Sequence, residues 1–194
     1  MENEEKVLNP QESLRIIRES IDLAKSSFRE NGFHYLLWGW LVAGACLADY
    51  YLDAVMGYPK HYMVWLGMTV VGAPAAVLYE WRRDKKLAPI SNPVRDWHGR
   101  VWMAFGISLL IVIALSVQAR VSPIPFILVL VGFATFVSGS LLRFAPLVLG
   151  AMAMWTGAAI CLALGYHEHL LVQGIATILG YLIPGYMLNT RRHV

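Results

Sequence analysis

The sequence predicts an all-α membrane protein: a six-transmembrane-helix bundle with an N-terminal cytoplasmic amphipathic helix. Three observations predict it. Of 194 residues, 57% are hydrophobic and only 15% are charged, whereas a soluble domain carries about 25% charged residues. The apolar residues gather in six stretches separated by short polar joints. The lysines and arginines fall almost entirely in alternate joints, the pattern that orients a polytopic protein.

The leader, residues 1–33, is the one segment built for water. Asn9 is a good N-cap, Pro10 fits the first helical position and Glu12 sits in the first turn, so a helix is expected over 10–30. Leu14, Ile17, Ile21, Ala24 and Phe28 recur at steps of three and four and form a narrow apolar seam on one face. Asn31-Gly32 supplies a stop. Charges of both signs before the first apolar stretch do not fit a cleaved signal peptide. The seam needs burial, and three ways are open: the membrane interface, the underside of the bundle, or a partner helix. Leu14, Ile17, Ile21 and Phe28 are the candidate partner-binding face.

The transmembrane domain is expected over 34–188, with spans near 34–54, 62–81, 101–118, 123–142, 146–165 and 169–188. Each approaches the ~20 helical residues that cross ~30 Å of hydrocarbon. Helices are required because lipid offers an open backbone no hydrogen bonds. Residues 189–194 form a short tail. With six spans and both termini cytoplasmic, 14 of the 16 basic residues lie inside and only Lys60 and Arg120 lie outside. An odd number of spans would spoil that partition. Tyr35, Trp38, Trp40, Tyr50, Tyr51 and Tyr58 cluster at the ends of the first span, at headgroup level.

An internal echo is also visible. Trp40, Ala43, Cys46, Leu47, Ala48 and Tyr51 match Trp155, Ala158, Cys161, Leu162, Ala163 and Tyr166 at one constant offset. Each set is followed by a span with a proline and then by paired arginines. The pattern suggests repeated helical hairpins; chance matching in an apolar alphabet is the plainer reading.

Within the spans, Pro74 and Pro184 are expected to kink or break their helices. Ala153, Gly157, Cys161 and Gly165 stand at steps of four and predict a close helix-packing seam, or a face for self-association. Cys46 and Cys161 read as small packing residues. Chemistry-bearing groups are few. An ionisable side chain in a membrane is a functional candidate by default, which singles out Asp49 and Asp53, with Asp49 placed at the outer interface. Gln173 is the one strongly polar neutral side chain of the sixth span and is expected to bond to a neighbouring helix. His167, Glu168 and His169 are read as a solvated turn. His167 and His169, near Asp49, Asp53 and His61 on the same face, could bind zinc or sense pH, although His-Glu-His lacks the spacing of a helical zinc site.

No nucleophile elbow, phosphate-binding loop or His-Asp pairing motif occurs, so no catalytic, cofactor or metal residue is assigned and no enzyme activity is expected. The partners implied are the lipid bilayer and, through residues 10–30 or the span-five small-residue face, a protein or a second copy; nothing points to nucleic acid. Two functions fit. One is a non-enzymatic regulator, sensor or accessory subunit acting through the N-terminal helix. The other is a small-solute transporter or channel with a site near Pro74, Gln173 and Pro184. At residues 30–41, Glu-Asn-Gly-Phe-His-Tyr-Leu-Leu-Trp-Gly-Trp-Leu resembles the opening of a group of small uncharacterised bacterial polytopic inner-membrane proteins. The resemblance covers the leader and first span. It implies a bacterial inner membrane and brings no activity and no site residues.

Overall fold

The computed structural model describes residues 32–85 and 93–190. The leader helix expected over 10–30 lies outside the described residues, as do 86–92 and 191–194. Among the described residues the chain is all helical. Helix α1 spans Gly32–Tyr50 and passes into a π-helical turn over Tyr51–Val55. Helices α2 (Met63–Asp84), α3 (Pro93–Ala119), α4 (Ile124–Leu141) and α5 (Ala145–Cys161) follow. Helix α6 (Glu168–Thr177), a second π-helical turn (Ile178–Leu182) and α7 (Ile183–Thr190) run on as one rod.

Among the described residues, four helical segments are long and apolar enough to cross a membrane: Met63–Arg82, Trp97–Ala119, Ile124–Leu141 and Glu168–Thr190. This is a membrane protein. Helix α5, at 17 residues, is shorter than a full span; it stops at Cys161, and Leu162–Leu164, which the sequence assigned to the span, lie exposed beyond it. Helix α1 has 19 residues, and tryptophan, tyrosine and glycine dilute its apolar character.

Packing divides the helices into a centre and a rim. The α4–α5 hairpin is the most extensive pairing, and α1 and α5 both pack along the α6–α7 rod. Leu128, Leu147, Met154 and Cys46 are fully buried between them. Helices α2 and α3 each rest chiefly on one neighbour, α1 and α4 respectively. Most of their valine, leucine and isoleucine side chains stay exposed. Lipid tails are as apolar as these side chains, so such faces need no protein cover.

Glycine sets the closest approach. A Cβ on Gly150 would stand 2.8 Å from both the Cα and the carbonyl oxygen of Gly180, so α5 and the second π turn meet backbone to backbone. Gly139 meets the Val148 amide in the same manner, at 2.9 Å. The seam therefore differs from the one expected. The buried face of α5 is Leu147, Gly150, Ala151, Met154, Gly157, Ala158 and Cys161, while Ala153 is half-buried and Gly165 is exposed beyond the helix. Steps of four drift ~40° per turn around a helix of 3.6 residues per turn; alternating steps of three and four stay on one side.

The two prolines behave differently. Helix α2 continues through Pro74 without a break, and Pro74 is exposed. One lost backbone hydrogen bond is tolerable in a membrane helix when its neighbours readjust. Pro184 is fully buried and directly follows the π turn. It cannot donate to the carbonyl of Gly180, and the widened turn accommodates that gap.

Helix ends are closed by left-handed residues. Gly57 (φ 61°) ends the first π turn, with Tyr58 N–H donating to Leu52 O at 2.8 Å. Arg120 (φ 55°) and Arg143 (φ 49°) end α3 and α4. In both, the next amide reaches back across the last turn, Val121 to Ser116 O at 3.0 Å and Phe144 to Gly139 O at 2.9 Å. This is the Schellman arrangement, which glycine usually serves. An arginine costs ~1 kcal/mol there but places a charge at the rim of an apolar helix.

The sequence echo is partly mirrored in burial. Ala43 and Cys46 are buried like Ala158 and Cys161, and Leu47, Ala48 and Tyr51 are exposed like Leu162, Ala163 and Tyr166. The helices that follow do not share an environment: α2 lies on the rim and the α6–α7 rod lies at the centre.

Candidate functional site

The ionisable side chains of the helix ends converge at one end of the bundle. Asp49 and Asp53 stand one turn apart where α1 passes into its π turn. Asp49 is 4% exposed and so is buried within the protein. Its burial is compensated from the start of α2. His61 Nδ1 lies 2.5 Å from Asp49 Oδ1, and Trp65 Nε1–H donates to Asp49 Oδ2 at 2.6 Å. A carboxylate sealed from water needs such partners.

The chain of contacts extends. His61 Nε2 lies 3.8 Å from Asp53 Oδ1. His167, from the loop between α5 and α6, brings Nδ1 to 2.7 Å from Asp53 Oδ2. Both ring nitrogens of His61 thus face carboxylates, and only the doubly protonated ring can donate to both. Trp65, Asp49, His61, Asp53 and His167 form one continuous path. It ties α1 to the α1–α2 joint and to the α5–α6 loop. Each carboxylate oxygen in it is directed at another member, and among the described residues no group of three or more His, Cys, Asp or Glu side chains is arranged to hold a metal ion.

Beside the path stands Tyr166. Partial desolvation first, and then the Asp49 and Asp53 carboxylates, hold its phenol above the ordinary tyrosine value. A negative neighbour disfavours phenolate. Asp53→Asn should therefore move the Tyr166 ionisation down towards its ordinary value. The difference between phenolate absorbance titrations with and without Tyr166→Phe isolates this group; an unchanged midpoint would separate Tyr166 from the carboxylates.

The His-Glu-His turn is not uniformly solvated. His167 and Glu168 are exposed, but His169 is buried. His169 Nε2 lies 2.8 Å from the carbonyl of Cys161. A carbonyl only accepts, so Nε2 carries the hydrogen and Nδ1 is left as an acceptor. That Nδ1 has no partner. One turn further along α6, Gln173 is 5% exposed, and its Oε1 also lacks the interhelical hydrogen bond expected of it. Pro74 is exposed while Gln173 and Pro184 are buried, so these three do not share one lining. Both cysteines are buried and free.

The opposite end of α1 carries a second polar lock. His34 Nε2 lies 2.6 Å from Glu80 Oε1, and Phe33 stacks on Tyr79 with ring centroids 3.9 Å apart. The α1–α2 hairpin is thus fastened at both ends by a histidine–carboxylate pair. Trp40 Nε1–H donates to the Tyr186 hydroxyl at 3.1 Å, which links α1 to α7. Sequence reasoning passed over His34 and Trp65. Their signal was present only as a polar residue one turn inside an apolar stretch.

No protein-family model, curated protein or solved structure matches the chain. The fold and site define a polytopic helical membrane protein with a histidine–carboxylate path at one end.

Proposed function

We propose that the chain is a six-span bacterial inner-membrane protein with both termini cytoplasmic, acting as a non-enzymatic regulator, sensor or accessory subunit. The observation that carries this reading is the Trp65–Asp49–His61–Asp53–His167 path. It grips the far end of α1, and α1 is the helix that leads directly from residues 10–30. A change of charge or hydration at the path acts on α1, the helix that follows the leader and its apolar seam in the sequence. The 14-to-2 division of basic residues supports an orientation with the path on the outer side and the seam in the cytoplasm. Histidine with carboxylate is a suitable sensing chemistry because small changes in surroundings alter its charge.

Photo-crosslinking from Ile17 and Ile21 in cells tests the reading. A discrete protein adduct is expected, and its yield should change in His61→Gln. Recovery of lipid alone, or of the protein's own bundle alone, would argue against a partner on this face.

A further inference from the structure

A file of buried polar side chains runs along the α6–α7 rod. His169, Gln173, Thr177 and Tyr181 follow one another at steps of four and are all buried, so they form a polar file that winds around the rod by ~40° per step. Tyr181 lies against Thr135 of α4. Its ring meets that of Tyr35 edge-on, with centroids 5.5 Å apart, and Tyr35 faces Ser138 of α4. From His169 to Tyr181 the file covers ~18 Å at 1.5 Å per residue. Tyr35 carries it on to the first turn of α1, at the opposite end of the bundle from Asp49. The file therefore traverses most of the ~30 Å hydrocarbon layer.

Three of its atoms have no hydrogen-bond partner: His169 Nδ1 near one end, Gln173 Oε1 further along, and the Tyr35 hydroxyl near the other. The hydroxyl of Ser138, which Tyr35 faces, donates to Ala134 O at 2.7 Å, so towards Tyr35 it can only accept. An unpaired polar group is costly where lipid excludes water. Three such groups spaced along one file call for small mobile partners that both donate and accept. Water fits this description and is the usual partner of buried polar groups.

We propose that this file holds a chain of water molecules through which protons cross the membrane. His169 is its ionisable station. Nε2–H stays on the Cys161 carbonyl, so Nδ1 takes a proton from water at the Asp49 end and gives the same proton to water on the Gln173 side. The imidazole is neutral before and after, and no redox partner is involved. The groups set against this station are the Cys161 carbonyl on α5 and the Tyr166 ring in the loop; Cys46 and Asp49 of α1, and His167 and Glu168, lie at the same end of the bundle. Gln173, Thr177, Tyr181 and Tyr35 carry hydroxyl or amide groups that orient water and need not ionise. The proposal does not depend on the regulatory reading, since it uses neither His61 nor residues 10–30.

The test is proton flux into vesicles of phosphatidylethanolamine and phosphatidylglycerol containing the full chain and an internal pH dye. A potassium diffusion potential set with valinomycin supplies the drive. Flux several-fold above protein-free vesicles is expected. Gln173→Leu and the near-isosteric Thr177→Val should each lower it about tenfold, while the rim variant Val70→Ala leaves it unchanged. Melting of each variant in detergent identifies a folded protein, and Thr177→Val serves if Gln173→Leu does not fold. Wild-type flux equal to that of empty vesicles, including the case of trapped water without flux, overturns the proposal. So does full flux in folded Gln173→Leu or folded Thr177→Val. Loss of the Ile17 adduct with flux intact would defeat the regulatory reading alone.

Discussion

Asp49→Ala is expected to destabilise the folded protein by about 3 kcal/mol, the scale for removing one partner of a buried charged pair. The Trp65 indole N–H and His61 Nδ1 both lose their acceptor. They stand on the α2 side of a hairpin that has few other fastenings, because α2 rests chiefly on α1. Equilibrium unfolding in mixed micelles measures the loss. His61→Gln should then cost much less in the Asp49→Ala background than in the wild type, because two members of one network are not additive. Additive losses would show that the path is a set of coincident contacts.

Gly150→Ala is the second large effect. Its new methyl would press on the backbone of Gly180 at 2.8 Å, and neither helix has a flexible side chain there to yield. Overpacking of this kind costs roughly 1–3 kcal/mol, and a backbone-on-backbone clash belongs at the upper end. The contrast is Gly44, whose Cβ would meet nothing within 4 Å. Gly44→Ala should be neutral or stabilising, since alanine is favoured over glycine in a helix by about 1 kcal/mol. Equal effects of the two substitutions would show that α5 and the π turn do not cross as closely as described.

The contrast between these glycines also marks what the sequence can reveal. Segment lengths and hydropathy were legible because each helix must satisfy its own backbone in lipid. The helices begin and end within a few residues of the apolar limits, except α5, which stops short at Cys161, and α3, which starts early at Pro93. The packing face of α5 was harder to read. Small residues at steps of four suggested one line, but a line that stays on one side must alternate steps of three and four. Gly150 and Gly180 carry no signal of their own, since their meaning lies in each other.

The site was legible as a list and not as an arrangement. Asp49, Asp53, His61, His167 and His169 were visible as polar residues near one end. Nothing in their spacing showed that Asp49 is buried, because its partners come from another helix and its adjoining loop. His169 and His167 are two positions apart, yet one hydrogen-bonds inward to Cys161 and the other reaches outward to Asp53. That difference is set by where α6 begins, within a turn that reads as uniformly polar. Gln173 was noticed for its polarity, while Thr177 and Tyr181 pass as ordinary span residues until the fold buries them.

The account rests on an oriented bundle whose Asp49 end faces outwards, and thiol labelling on whole cells tests that most directly. Single cysteines at Lys60, Tyr166 and Lys85 are placed in a chain with Cys46 and Cys161 replaced by alanine. A membrane-impermeant maleimide should label Lys60→Cys and Tyr166→Cys on intact cells, and Lys85→Cys only after permeabilisation. Labelling of Lys85→Cys on intact cells, or protection of Lys60→Cys and Tyr166→Cys from it, would contradict the account.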